Sequence, residues 1–240
     1  MFRIFSKKTS PSLKRELFGM NFSTPLALEP FPSEHPASKP HGGNLFAFSE
    51  IGPFTKGGAK VFAPKTSQQI VAANISNMDG RTTEELTKSI VASFSGLYDR
   101  ADLFILDTFR PDKDGVIALQ NVDALSEVMD AVLESRRFYD SDKPVLVRVS
   151  PSIAQSSLEG IIHYLRMSDA DGIIAGYDSY CPELVRRIHN ITQGRFPLLA
   201  CGGINSPERA DEMLAAGADM LQVSLFSANR ILKHLKSKDK

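Results

Sequence analysis

The sequence predicts an α/β protein of the (β/α)8, or TIM, barrel class, and three observations lead there. Short apolar runs recur along the chain, amphipathic helical stripes fall between most of them, and a strand, glycine turn, helix and strand close the series. The 240 residues, 42% of them hydrophobic, suit one barrel domain, whose usual size is about 250 residues. That domain is expected to span residues 1–240, with 1–16 as an N-terminal extension and 236–240 as a frayed tail.

Eight runs are read as strands: Pro25–Leu28, Leu45–Ile51, Gln69–Ala73, Leu103–Leu106, Val145–Val149, Gly172–Ala175, Leu198–Ala200 and Met220–Val223. The helix over Thr82–Leu97 opens with the capping box Thr82-x-x-Glu85 and carries Leu86, Ile90, Phe94 and Leu97 on one side. Further stripes are Leu125, Val128, Met129, Val132 and Leu133, then Leu158, Ile161, Ile162 and Leu165, then Leu184, Val185, Ile188 and Ile191. Ile231, Leu232 and Leu235 mark the last helix. In the closing cassette, Gly202-Gly203 lets the backbone approach an anion, and Ser206-Pro207-Glu208 supplies an N-cap, an N1 proline and an acidic first turn. This points to a phosphate between the seventh and eighth strands, or to a tight turn.

One unit breaks the alternation. Residues 29–44 hold Pro30, Pro32, Pro36 and Pro40, then Gly42-Gly43, so a Pro-rich loop is expected in place of the first helix. A small hairpin or turn is expected around Lys60–Ala63. Glu34, His35 and His41 lack a third fixed partner, so no metal site is expected.

Lys plus Arg and Asp plus Glu both number 28, which removes any bulk attraction to nucleic acid, and no nucleic-acid partner is expected. Cys181 and Cys201 lack Cys-x-x-Cys spacing and fit a reducing cytoplasm. Phe2, Ile4 and Phe5 make too short an apolar run for a signal peptide, and no transmembrane segment is read. A small-molecule or phosphate ligand is the expected partner, and a homo-oligomer is compatible with the sequence.

From about Leu17 to Ile231 the landmarks resemble the dihydroorotate dehydrogenase family of flavin-dependent barrels. The resemblance is carried by Leu17-Phe18-Gly19-Met20, Phe48-x-Glu50-Ile51-Gly52-x-x-Thr55, Asn74-Ile75, Leu97-Tyr98-x-x-Ala101-Asp102 and Gly115-x-x-x-Leu119-Gln120. It continues through Pro144–Pro151, Asp171–Ala175 and Gly202-Gly203-Ile204. The resemblance implies FMN at the C-terminal mouth, a serine or cysteine base, and a role in pyrimidine biosynthesis as an oxidoreductase. The implied cofactor positions are Asn74, Arg148, Gly202, Gly203 and Ser224, and Tyr177 falls at a substrate position.

Several positions depart from the pattern. The family's Asn-x-Ser-(Ser or Cys)-Pro-Asn after strand four reads Asp107-Thr108-Phe109-Arg110-Pro111-Asp112, which puts a permanently protonated guanidinium at the base position. The strand-five lysine is Arg148, and the substrate asparagine after strand six is Tyr177. The Ala-Ala-Gly flavin turn is Leu28-Glu29-Pro30, the Gly-rich loop before strand seven is missing, and the final Tyr-(Ser or Thr)-Gly is Ser224-Leu225-Phe226.

Alternatives stand beside these roles. Asn74 is a flavin contact or a loop cap. Arg148 is an anion ligand or half of a buried ion pair with Asp107 or Glu50. Asp107, Arg110 and Asp112 are catalytic candidates or a solvated rim with Lys113 and Asp114. Cys201 faces a ligand or fills the core, and Tyr177 stacks on a planar ligand or caps the mouth. The expected function is that of a dihydroorotate dehydrogenase-like oxidoreductase impaired at its base position. The alternatives are a non-catalytic barrel that binds a phosphorylated ligand or a protein partner, and another phosphate-handling barrel enzyme using Asp107 or Asp112.

Overall fold

The computed structural model describes residues 13–29, 45–54, 69–76, 82–108, 119–139 and 142–238. A short antiparallel hairpin, β1 (Arg15–Leu17) and β2 (Met20–Phe22), precedes eight strands that close into a parallel barrel. These are β3 (Leu26–Leu28), β4 (Ser49–Phe54), β5 (Val71–Ser76), β6 (Leu103–Asp107), β7 (Val145–Val149), β8 (Gly172–Ala175), β9 (Leu198–Ala200) and β10 (Met220–Val223). Each pairs with the next, and β10 returns to β3 with Leu221 opposite Leu26 and Val223 opposite Leu28. The expected (β/α)8 class is therefore the observed one.

Helices α1 (Thr83–Leu97), α2 (Val122–Arg136), α3 (Gln155–Met167), α4 (Pro182–Thr192), α5 (Pro207–Ala215) and α6 (Leu225–Lys238) follow β5 to β10 in turn. Two start where their caps say. Thr82 Oγ1 accepts from the Glu85 amide, and Ser206 Oγ accepts from the Arg209 amide behind the N1 proline. The expected stripes turn inward: Leu86, Ile90, Phe94 and Leu97 of α1, and Leu158, Ile161, Ile162 and Leu165 of α3, are all buried. The Pro-rich stretch from Pro30 to Asn44, with Glu34, His35 and His41, lies outside the described residues, as does the expected turn at Lys60–Ala63.

Several boundaries differ from expectation. The first barrel strand begins at Leu26, not Pro25, the third runs Val71–Ser76 where Gln69–Ala73 was expected, and the fourth extends to Asp107. The second barrel strand begins at Ser49, not Leu45: Phe46, Ala47 and Phe48 are buried on the approach, where the Ala47 amide donates to the Leu26 carbonyl and the Phe48 carbonyl accepts from the Leu28 amide, and the register with β3 begins at Ser49 opposite Leu28. The β1–β2 hairpin begins at Arg15, inside the stretch read as an extension ending at residue 16. Its Phe18-Gly19 turn has φ of 57° and 69°, the positive pair that a tight two-residue hairpin turn requires. Helix α6 runs to Lys238, into the tail expected to fray from residue 236, and Lys238 pairs there with Asp211 of α5.

The hairpin closes the N-terminal end of the barrel. Phe22 is 6.3 Å from Phe48 between ring centres, and Leu17, Phe18 and Met20 pack on the same inner cluster of Ala72, Ile105, Leu146, Ile174, Leu199 and Met220. Arg15 Nε donates to the Asp219 carbonyl at 2.9 Å, pinning the hairpin to the start of β10. The same end carries a repeated bond. Asp102, Asp171 and Asp219 each stand one residue before a strand and accept, through Oδ2, the amide of the first residue of the preceding strand: Val71, Val145 and Leu198, at 2.8, 2.8 and 2.9 Å.

Candidate functional site at the barrel mouth

Side chains alternate along a strand, so residues two apart share a face. Inside the barrel the apolar layer of Phe48, Ala72, Ile105, Leu146 and Met220 is followed, two residues on, by Glu50, Asn74, Asp107, Arg148 and Gln222. These five come from β4, β5, β6, β7 and β10, and all are buried.

Arg148 is the hub. Its Nη1 donates to Glu50 Oε1 at 2.8 Å and Asp107 Oδ2 at 3.1 Å, and its Nη2 donates to Glu50 Oε2 at 2.5 Å and Gln222 Oε1 at 2.9 Å. Asn74 Nδ2 donates to Glu50 Oε1 at 2.7 Å and Asp107 Oδ2 at 3.2 Å, while Gln222 Nε2 donates to Glu50 Oε2 at 2.5 Å. Burial works against the guanidinium's charge, but Glu50 and then Asp107 hold its pKa well above the ordinary arginine value. Of the two roles open to Arg148, the ion pair is the one realised, with both expected partners.

Other groups surround this layer. Glu29 follows β3 and is half-buried; burial first and Glu50 second raise its pKa, and Arg148 pulls the other way. Tyr177 follows β8, half-buried, with the Arg148 guanidinium 5.5 Å from its ring centre, so it covers the hub. Cys201 is fully buried and burial pushes its thiol up despite Arg148; its Sγ donates to the Tyr177 carbonyl at 3.3 Å. The thiol is a neutral filler. Cys181, capping α4, is raised by burial to about 11.

Gly202 and Gly203 adopt φ of 96° and 63°. A Cβ on Gly202 would lie 2.6 Å from the Ser179 carbonyl oxygen, and one on Gly203 would lie 3.1 Å from the Tyr180 amide and Cβ. The glycines are thus required by the loop after β8 leaning on them. The Gly203 carbonyl accepts from Arg209 Nη1 at 2.8 Å, and that guanidinium lies 4.6 Å from the Tyr180 ring centre. The Ser224 carbonyl accepts from the Ser227 and Ala228 amides, which opens α6, and Ser227 Oγ reaches the Ile204 carbonyl at 3.4 Å, tying that first turn to the glycine loop. Phe226 beside it is 92% exposed.

Arg110 and Asp112 lie outside the described residues, so of the acid–base candidates only Asp107 is placed, inside the ion-pair layer. The sequence singled out neither Gln222 nor Ser76. Their signal was the period of two, counted on from Met220 and from Asn74. Among the described residues, Asn74 Oδ1, Ser76 Oγ, Gln120 Nε2 and Arg148 Nε are buried without a hydrogen-bond partner.

Fold and site together define a closed (β/α)8 barrel with a charged layer under its C-terminal mouth. No family model matches the chain. Its sequence is similar to dihydroorotate dehydrogenase (quinone) of Trichormus variabilis, 23% identical over 278 residues, covering 88% of this chain and 73% of that protein. The enzyme of the same name from Acaryochloris marina is 25% identical, covering 89% of this chain and 74% of that protein. The fold is similar to that of the DHODH of Eimeria tenella solved with ferulenol, with a TM-score of 0.80, 16% identity, and coverage of 95% of this chain and 85% of that one. A tetrameric deoxyribose phosphate aldolase from Aeropyrum pernix shares the barrel more loosely, with a TM-score of 0.62 at 15% identity, covering 88% and 89%. The resemblance drawn from the motifs stands: over most of its length the chain is similar to dihydroorotate dehydrogenases. Among the described residues no helix is long and apolar enough to cross a membrane.

Proposed function

We propose that this protein is a dihydroorotate dehydrogenase-like barrel that does not oxidise dihydroorotate and keeps the scaffold to bind a small ligand at its C-terminal mouth. The observation that carries this reading is the state of Arg148, whose terminal nitrogens are consumed by Glu50, Asp107 and Gln222. A cation at this strand position serves a cofactor or an anionic substrate only if it can turn toward them. Turning would strand two buried carboxylates, which is costly. The base position agrees, since Arg110 stands there and a guanidinium cannot take a proton. Asp107 is a poor substitute, with its Oδ2 already accepting from Asn74 and Arg148. The test is anaerobic mixing of the protein with FMN and dihydroorotate. The flavin band is expected to persist, and enzyme-dependent bleaching would overturn the reading.

A further inference from the structure

We infer that this barrel does not hold a flavin, because the five-residue polar layer under the mouth is closed on itself and stands in the flavin's stead. The inference deepens the reading above and can fail separately from it.

Flavin binding asks a barrel mouth for free donors to the ring edge and a cleared glycine turn for the phosphate. At the ring position, the strand-derived donors are the amide of Asn74 and the terminal nitrogens of Arg148, and the acceptors already served by them are all side chains of the barrel itself. Glu50 receives four of these side-chain bonds, from Asn74, Gln222 and both terminal nitrogens of Arg148. A ring that recruited Arg148 or Asn74 would uncover a buried carboxylate on the opposite strand, so each new bond to the ring would break one that burial makes hard to lose.

At the phosphate position, the space a Cβ would take on Gly202 and Gly203 is filled by Ser179 and Tyr180 of this same chain. The glycines here admit a neighbouring loop. Where the resemblance implies a permissive turn after β3, Glu29 sets a half-buried carboxyl group near Glu50, an unfavourable neighbour for a phosphorylated cofactor. The polar atoms left over in the layer are single ones, Asn74 Oδ1 and Arg148 Nε, with Ser76 Oγ two residues beyond Asn74. Single atoms of this kind call for a bound water each, not for a three-ring ligand.

The closed layer also makes a prediction that is independent of any cofactor. If it is structural, removing one charged member costs stability, and removing Glu50, Asp107 and Arg148 together costs far less. The experiment is therefore twofold. The full chain is mixed with excess FMN and passed through gel filtration, and its melting temperature is recorded with and without FMN. Alongside, Glu50→Leu, Arg148→Met and the triple variant that adds Asp107→Asn are melted. The expected result is protein free of flavin absorbance, a melting temperature that FMN does not move, both single variants melting well below the parent, and a triple variant that recovers most of the loss. Stoichiometric flavin in the protein peak, or a melting temperature that rises with FMN, would overturn the inference. So would a Glu50→Leu variant as stable as the parent, since the layer would then not be closed on itself. Retained flavin that dihydroorotate leaves oxidised would sink this inference alone; flavin that it bleaches would sink the proposed function as well.

Discussion

The two ends of the barrel both use buried or half-buried acidic residues, but they tie them to different things. At the N-terminal end Asp102, Asp171 and Asp219 accept backbone amides from the strand next door, and each bond joins two neighbours. At the C-terminal end Glu50 and Asp107 accept side-chain donors, and Glu50 on β4 reaches Arg148 on β7 and Gln222 on β10, 98 and 172 residues away in sequence. The first end is a row of local stitches. The second is one bridge across the barrel, and it depends on charge compensation. In this fold the N-terminal face serves stability and the C-terminal face carries function. Here the C-terminal face also carries a charge network buried inside the barrel.

The largest expected effect is at the bridge. Glu50→Ala leaves Arg148 buried with half its side-chain hydrogen bonds gone and should cost about 3–5 kcal/mol by urea unfolding. A loss under about 1 kcal/mol would break the contrast, because the bridge would then be no stronger than a surface pair. Next comes a stitch. Asp171→Ala removes the acceptor of the Val145 amide and of Arg136 Nη1, 2.8 Å away in each case, and should cost about 1–3 kcal/mol. A larger loss there than at Glu50 would reverse the ranking of the two ends. The smallest effect concerns pH. The raised pKa of Glu29 means the folded state binds its proton more tightly than the unfolded state, so this group favours folding at low pH, and the favour is lost as pH rises from 4.5 through the folded value. Glu29→Gln should therefore raise the melting temperature at pH 7, with the gain fading below pH 4.5. A gain that does not change with pH would show that charge is not what strains this end.

Much of the fold was legible in the residues. Val145–Val149, Gly172–Ala175, Leu198–Ala200 and Met220–Val223 form strands with the bounds their apolar runs suggest, because each run is short, buried on both faces and bracketed by turn residues. Thr82 and Ser206 began their helices as capping chemistry dictates. The run from Leu45 overran the strand for a physical reason: Phe46, Ala47 and Phe48 are buried, and Ala47 and Phe48 already bond the backbone of β3, so an apolar run reports the approach as well as the paired strand. The hairpin at residues 15–22 was missed because three-residue strands are too short for a period to show. At the site, the pairing of Arg148 with Glu50 or Asp107 was readable from the cost of an unpaired buried charge. Gln222 was not, since nothing local to Met220–Val223 says what stands across the barrel.

By itself, then, the sequence determined the alternation of strands and helices, the caps, and a buried ion pair with Asp107 or Glu50 as one of two roles for Arg148, because each follows from side-chain chemistry and near neighbours. Only the tertiary structure decided that Arg148 faces inward-pointing acids and not an open mouth, that Gly202 and Gly203 make room for Ser179 and Tyr180, and that an aspartate before every second strand from β6 stitches the far end. Those contacts depend on how eight strands are staggered when the sheet closes, and that stagger is a property of the whole barrel.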